Sequence, residues 1–90
     1  MKLETIPQWR RGWRFQWEPT QDCFVLLYPE GMVKLNETAG AILNQLDGKR
    51  SVAMIIQNLE ALYPEAGALE GDVLEFLDEA QQNGWLAKET

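Results

Sequence analysis

The groups able to do chemistry in this chain are one thiol, Cys23, and a run of carboxylates at near-helical spacing, Asp72, Glu75, Asp78 and Glu79. Histidine is absent, so metal ligation and acid–base work lose their commonest side chain. A lone cysteine makes neither a metal cluster nor an internal disulfide, and as a nucleophile it would need an activating base that no motif supplies. Cys23 reads as a structural thiol beside a strand and fits the reducing cytoplasm, where the protein is expected. A solvated helix face accounts for the carboxylates. The glycines are dispersed at turns and helix ends and form no phosphate cradle. The chain is not expected to be an enzyme, and no cofactor or metal is expected in it.

Charge narrows the partners. The net charge is −6 and is unevenly spread. Up to Asn36, the bases Lys2, Arg10, Arg11, Arg14 and Lys34 outnumber the acids Glu4, Glu18, Asp22 and Glu30 by one, so the remainder carries −7. An acidic C-terminal half disfavours phosphate backbones and favours basic partners. The N-terminus has no apolar core segment of a signal peptide, and no apolar run approaches membrane-spanning length.

The elements that must position any site follow from patterning. From Gly12 the chain alternates strictly, with Trp13, Phe15 and Trp17 on one side and Arg14, Gln16 and Glu18 on the other, which is a half-buried strand. Phe24 to Tyr28 is apolar or aromatic throughout and reads as the central strand. Tyr28-Pro29-Glu30-Gly31 is a type I turn by its proline and glycine. Met32 to Leu35 is a short mixed strand suited to a sheet edge. Asn36 and Ser51 cap helices whose apolar stripes are Ala39, Ile42, Leu43 and Leu46, then Val52, Ile55, Ile56, Leu59 and Leu62. A third helix begins near Leu69 to Gly71, with Val73, Phe76, Leu77 and Ala80 as its stripe, and ends at Gly84. The expectation is one α+β domain over residues 1–90: a three-stranded antiparallel sheet, then three helices, with a flexible arm at 1–8. Helix pairs joined by a short turn also suggest a winged helix-turn-helix relative.

Two kinds of function suit that architecture. A winged-helix DNA-binding regulator would read bases with its third helix, but Leu69 to Asn83 contains no lysine or arginine, and Asp72, Glu75, Asp78 and Glu79 there would repel phosphates. The alternative is peptide binding at the free edge strand, where backbone hydrogen bonds give affinity and side-chain pockets give specificity. Leu74, a quarter-turn from the centre of the third helix's stripe and flanked by Asp78 and Gln81, either widens the core stripe or walls an acid-rimmed apolar groove.

Three ordered motifs bear on the choice: Arg10-Arg11-Gly12-Trp13-Arg14-Phe15-Gln16-Trp17-Glu18, then Leu27-Tyr28-Pro29-Glu30-Gly31-Met32-Val33-Lys34-Leu35-Asn36, then Asp47-Gly48-Lys49-Arg50-Ser51-Val52. With them the chain from Pro7 to Leu86 resembles the pyrroloquinoline quinone (PQQ) biosynthesis protein D family. The resemblance implies a cytoplasmic peptide chaperone, a ribosomal-peptide recognition element. Proteins like it bind the leader of the PQQ precursor peptide and present it to a radical-SAM enzyme that joins a glutamate and a tyrosine side chain. It implies that the leader adds beside Met32, Val33, Lys34 and Leu35, facing Leu74, Leu77, Asp78 and Gln81, with Asp72 at the helix start. The iron–sulfur clusters and S-adenosylmethionine belong to the partner enzyme. The expected partners are thus the precursor peptide and that enzyme, with no nucleic acid and no membrane, for a monomer or weak homodimer.

Overall fold

Alternation in the first third of the chain becomes a three-stranded antiparallel meander in the computed structural model, which describes residues 1–88. The strands are β1 (Arg14–Glu18), β2 (Cys23–Tyr28) and β3 (Gly31–Lys34), and three helices follow: α1 (Glu37–Leu43), α2 (Val52–Leu62) and α3 (Glu70–Gln82). The expected α+β order is the one observed, and β2 lies between its neighbours. The last two residues of the expected 1–90 domain lie outside the described residues. A single 3-10 turn, Pro64–Ala66, joins α2 to α3.

The inner face of the sheet is aromatic because β1 and β2 place their large rings on the same side of the pleat. Phe15 stacks on Phe24 with ring centroids 4.6 Å apart, and Trp17 meets Phe24 edge-on at 5.1 Å. On this face Leu26, Leu35, Ala39 and Leu43 are buried together, with α1 seated against β2. Gly40 makes that seat possible, since a Cβ there would lie 2.9 Å from Phe24 Cδ2. Val25 is fully buried yet belongs to neither helix-packed cluster. Its cross-strand neighbours are Gln16 and Lys34, whose long stems can lie over it.

The helices start where their caps predict. Asn36 Oδ1 accepts from Ala39 N–H at 2.7 Å, and Ser51 Oγ accepts from Met54 N–H at 3.2 Å. The second core packs α2 and α3 through Ile55, Ile56, Leu59, Val73, Leu77 and Ala80. Leu86 closes it, 1% exposed, as the fold-back of Trp85-Leu86-Ala87 requires; it pairs with Trp9 in an antiparallel bridge.

Residues 1–8, expected to be a flexible arm, have no regular structure but are docked. The Thr5 carbonyl accepts from Val52 N–H at 2.8 Å and the Leu3 carbonyl from Ala53 N–H at 2.9 Å. A helix leaves its first four N–H groups without internal partners. Here the arm supplies two of the missing acceptors, Ser51 supplies a third, and Pro7 is buried.

Candidate peptide-binding edge

β3 has two edges with different fates. In an antiparallel pair each residue sends its N–H and C=O to the same side, and successive residues alternate. Leu35 N–H donates to the Phe24 carbonyl at 3.0 Å. In the register Leu26↔Val33 and Leu27↔Met32, Val33 therefore also bonds inward, while Met32 and Lys34 direct their backbone groups away from β2. With the order β1-β2-β3 no strand among the described residues pairs with them. The sequence left open which of Val33 and Lys34 faces outward; the ladder makes it Lys34.

The side chains of β3 divide the other way. Val33 and Leu35 share the inner face, packing with the sheet core, and Met32 is 43% exposed on the outer face beside Lys34. Leu35 is buried and its N–H bonds inward to Phe24, so of the four strand residues it turns neither its side chain nor its peptide groups to the open edge.

The two ends of α3 lie near opposite ends of this part of the fold. Asp72 and Val73, near its start, share a cavity with Glu37 and Thr38 of α1, just beyond the end of β3. Asn83, at its C-cap, lines a depression with Val33, Tyr28, Pro29 and Trp85 at the hairpin end. Phe76 touches both cores, including the one that Val33 borders. At 100° per residue Asp72, Phe76, Glu79 and Asn83 lie on one flank of the helix. Through Phe76 that flank reaches the core that the inner face of β3 borders.

The other helix residues expected in the groove have the following surroundings. Leu77 is fully buried in the α2–α3 core. Leu74 packs against that same core from the opposite flank, where Met1 also packs. Asp78 pairs with the Met1 amine, and Gln81 Nε2 donates to the Ala87 carbonyl at 3.1 Å. Asp78 and Gln81 thus meet the terminal segments. Sequence reasoning did not single out Phe76 as the link between the two cores, because it already served as a core-stripe residue. Its signal was its place at the stripe's edge.

The groove's electrostatics are acidic and unpaired. Glu30 stands at the hairpin, Glu37 at the start of α1, and Asp72 and Glu79 on the flank of α3. Among the described residues none of these carboxylates makes a side-chain hydrogen bond or ion pair. α3 carries Glu70, Asp72, Glu75, Asp78 and Glu79 and no lysine or arginine, so the DNA-binding alternative finds no support in its surface. The one resolved carboxyl shift lies elsewhere, in the α1–α2 turn. There the Lys49 and Arg50 N–H groups hydrogen-bond to Asp47 and hold its carboxyl below the ordinary aspartate range.

The sequence profile described as Coenzyme PQQ synthesis protein D (PqqD) matches residues 23–86. The chain belongs to that family. Relatives named PqqA binding protein include one from Azotobacter vinelandii, 60% identical over 84 residues, covering 93% of this chain and 91% of the relative. One from Stutzerimonas stutzeri is 51% identical over 86 residues, covering 96% and 94%. Among solved structures, the PqqD truncation of Methylobacterium extorquens PqqCD is described as a functional, stand-alone recognition element for ribosomally synthesised and modified peptides. It superposes with a TM-score of 0.79 at 29% identity, over 98% of this chain and 95% of that one. PqqD from Xanthomonas campestris gives a TM-score of 0.52 at 33% identity, over 92% and 93%. The strands and helices above are thus a family fold, and its three-strand, three-helix order is this chain's own.

Proposed function

We propose that this chain is the peptide-recognition element of coenzyme PQQ synthesis. It takes the leader of the precursor peptide as a fourth strand on β3, in front of the Phe76 flank of α3, and presents it to the pathway's radical-SAM enzyme. The observation that carries this reading is the outward pair of peptide groups at Met32 and Lys34, to which no strand among the described residues pairs. The family's relatives named for binding PqqA supply the identity of the peptide. Backbone pairing supplies affinity whatever the peptide's side chains, and the groove wall supplies selection. The acidic rim attracts a partly basic leader and speeds its association. The bond-forming chemistry and its cofactors sit in the partner enzyme, so this chain acts by presentation. We place it in the cytoplasm as a monomer or weak homodimer, the compartment in which a lone thiol stays reduced. No helix among the described residues is long and apolar enough to cross a membrane.

Titrating the protein with the precursor peptide while following backbone amide shifts tests the site. The amides of Met32, Val33 and Lys34 and those around Phe76 and Glu79 are expected to move together. Shifts confined to the other sheet edge, at Phe15 and Trp17, would move the site to β1 and overturn the placement.

A further inference from the structure

At the α1 end of this groove lies a cavity of about 270 Å³. Its floor is apolar and buried, formed by Ile42, Leu59 and Val73, and its rim carries Glu37, Tyr63 and Asp72. The opening has a local cause. α2 stops at Leu62, the chain turns through Pro64–Ala66, and α3 begins only at Glu70, so a loop spans the gap that a longer helix would fill. Interiors are otherwise close-packed. An apolar cavity of about 150 Å³ already accepts benzene, whereas drug-sized and cofactor-sized ligands need about 300–1,000 Å³. This cavity has room for one large side chain and is too small for a cofactor.

Its rim is charged and its position is set by β3. Glu37 and Asp72 lie in the first turns of α1 and α3, where helix dipoles stabilise carboxylates. Folding thus accounts for the charges but not for the open apolar floor between them. Only Leu35 and Asn36 separate Lys34 from Glu37. A peptide strand paired with β3 advances about 3.3 Å per residue, so it reaches the mouth within two or three residues of its last backbone bond. Tyr63, 44% exposed, stands at the lip.

We propose that this cavity is a specificity pocket for the same peptide. It takes one bulky apolar side chain from the segment running on past β3, and Glu37 and Asp72 hold a lysine or arginine beside it. The inference rests on strand addition and extends it, since backbone pairing cannot tell one sequence from another and a shaped, charged pocket can.

Calorimetry with the precursor peptide tests it on three variants, each checked for folding. Ala41→Leu narrows the cavity that Ala41 lines, and is expected to weaken binding about tenfold without changing its salt dependence. Glu37→Gln with Asp72→Asn is expected to weaken binding about three- to tenfold at low salt and to flatten the salt dependence, because exposed charges are screened within about 10 Å at 0.1 M salt. In an alanine scan of the peptide, one large apolar position should lose its effect in Ala41→Leu. Lys34→Pro reports strand addition separately. If the cavity and charge variants bind like the parent while Lys34→Pro does not, the strand reading stands and the pocket is overturned. If Lys34→Pro also binds like the parent, strand addition itself fails. Should Ala41→Leu not fold, the charge pair decides alone, its side chains being exposed.

Discussion

Proline at two adjacent positions of β3 should give opposite phenotypes. Val33 N–H faces the carbonyl of Leu26, and Leu26 is fully buried. Val33→Pro removes that hydrogen bond, worth about 0.5–1.5 kcal/mol net, and strands a buried carbonyl at about 1–3 kcal/mol. The sum is about 1.5–4.5 kcal/mol. Domains hold roughly 0.05–0.15 kcal/mol per residue, so this is a large share of the stability of a chain of 90 residues. The melting midpoint should fall by roughly 6–36 °C, at about 4–8 °C per kcal/mol for a domain of this size. Lys34 N–H faces solvent, the one place where an edge strand tolerates proline. Its predecessor Val33 is already extended, as a residue before proline must be. Lys34→Pro should fold, melt within a few degrees of the parent, and lose a backbone hydrogen bond to the peptide. That loss, with a peptide carbonyl left unpaired, amounts to about 1–3 kcal/mol, or roughly five- to 150-fold in Kd. Circular dichroism and calorimetry read the two effects. A folded Lys34→Pro protein that binds as tightly as the parent refutes strand addition, and a folded Val33→Pro protein beside an unfolded Lys34→Pro one refutes the ladder's phase.

Three further expectations follow from the packing and the turn chemistry. Leu74→Ala should cost about 1–3 kcal/mol in a thermal or denaturant melt, as a half-buried core truncation does, and leave peptide affinity within about twofold; a large loss of affinity at unchanged stability would show that the other flank of α3 faces the peptide. Gly40→Ala gains about 0.5–1 kcal/mol of helix propensity but forces a Cβ against Phe24, an overpacking cost of about 1–3 kcal/mol, so it should melt lower; a higher melting point would show that α1 is not seated on that ring. Asp47 is held below its ordinary pKa by the Lys49 and Arg50 amides, so its contribution is present above the unfolded value of about 3.9 and is lost as pH falls through the folded one. Acid titration should move the Lys49 and Arg50 amide signals below about pH 4, and an Asp47 carboxyl that titrates at or above its unfolded value would remove this anchor of the α1–α2 turn.

The parts of the fold legible in the sequence are those fixed by local chemistry. Alternation of Trp13, Phe15 and Trp17 chooses a strand and its buried face. Pro29 and Gly31 set a two-residue turn that brings Tyr28 opposite Gly31, and that register makes β3 an edge. Asn36 and Ser51 satisfy the first donors of their helices and so mark where α1 and α2 begin. The docking of residues 1–8 was not legible, because the groups that tie it down are the carbonyls of Leu3 and Thr5. Every residue has a carbonyl, so no pattern of side chains announces which ones will be used.

The flank of α3 that reaches the core bordering β3 was illegible for a different reason. A stripe of Val73, Leu77 and Ala80 fixes which face of the helix turns inward, yet it is nearly symmetric about its own centre. Leu74, Asp78 and Gln81 lie to one side of it and Asp72, Phe76 and Glu79 to the other. Choosing between them needs the direction in which α3 passes the sheet, and that is set by the loop from Tyr63 to Leu69 and by what covers the remaining flank. The chain's terminal segments cover it: Met1 reaches Asp78 and packs beside Leu74, and Ala87 takes the hydrogen bond from Gln81. The proposed site accordingly uses the Phe76 flank with the outward backbone of Met32 and Lys34. The same acidic helix that a DNA-reading fold could not use carries Asp72 and Glu79 on the flank of Phe76, which packs against the core that β3 borders.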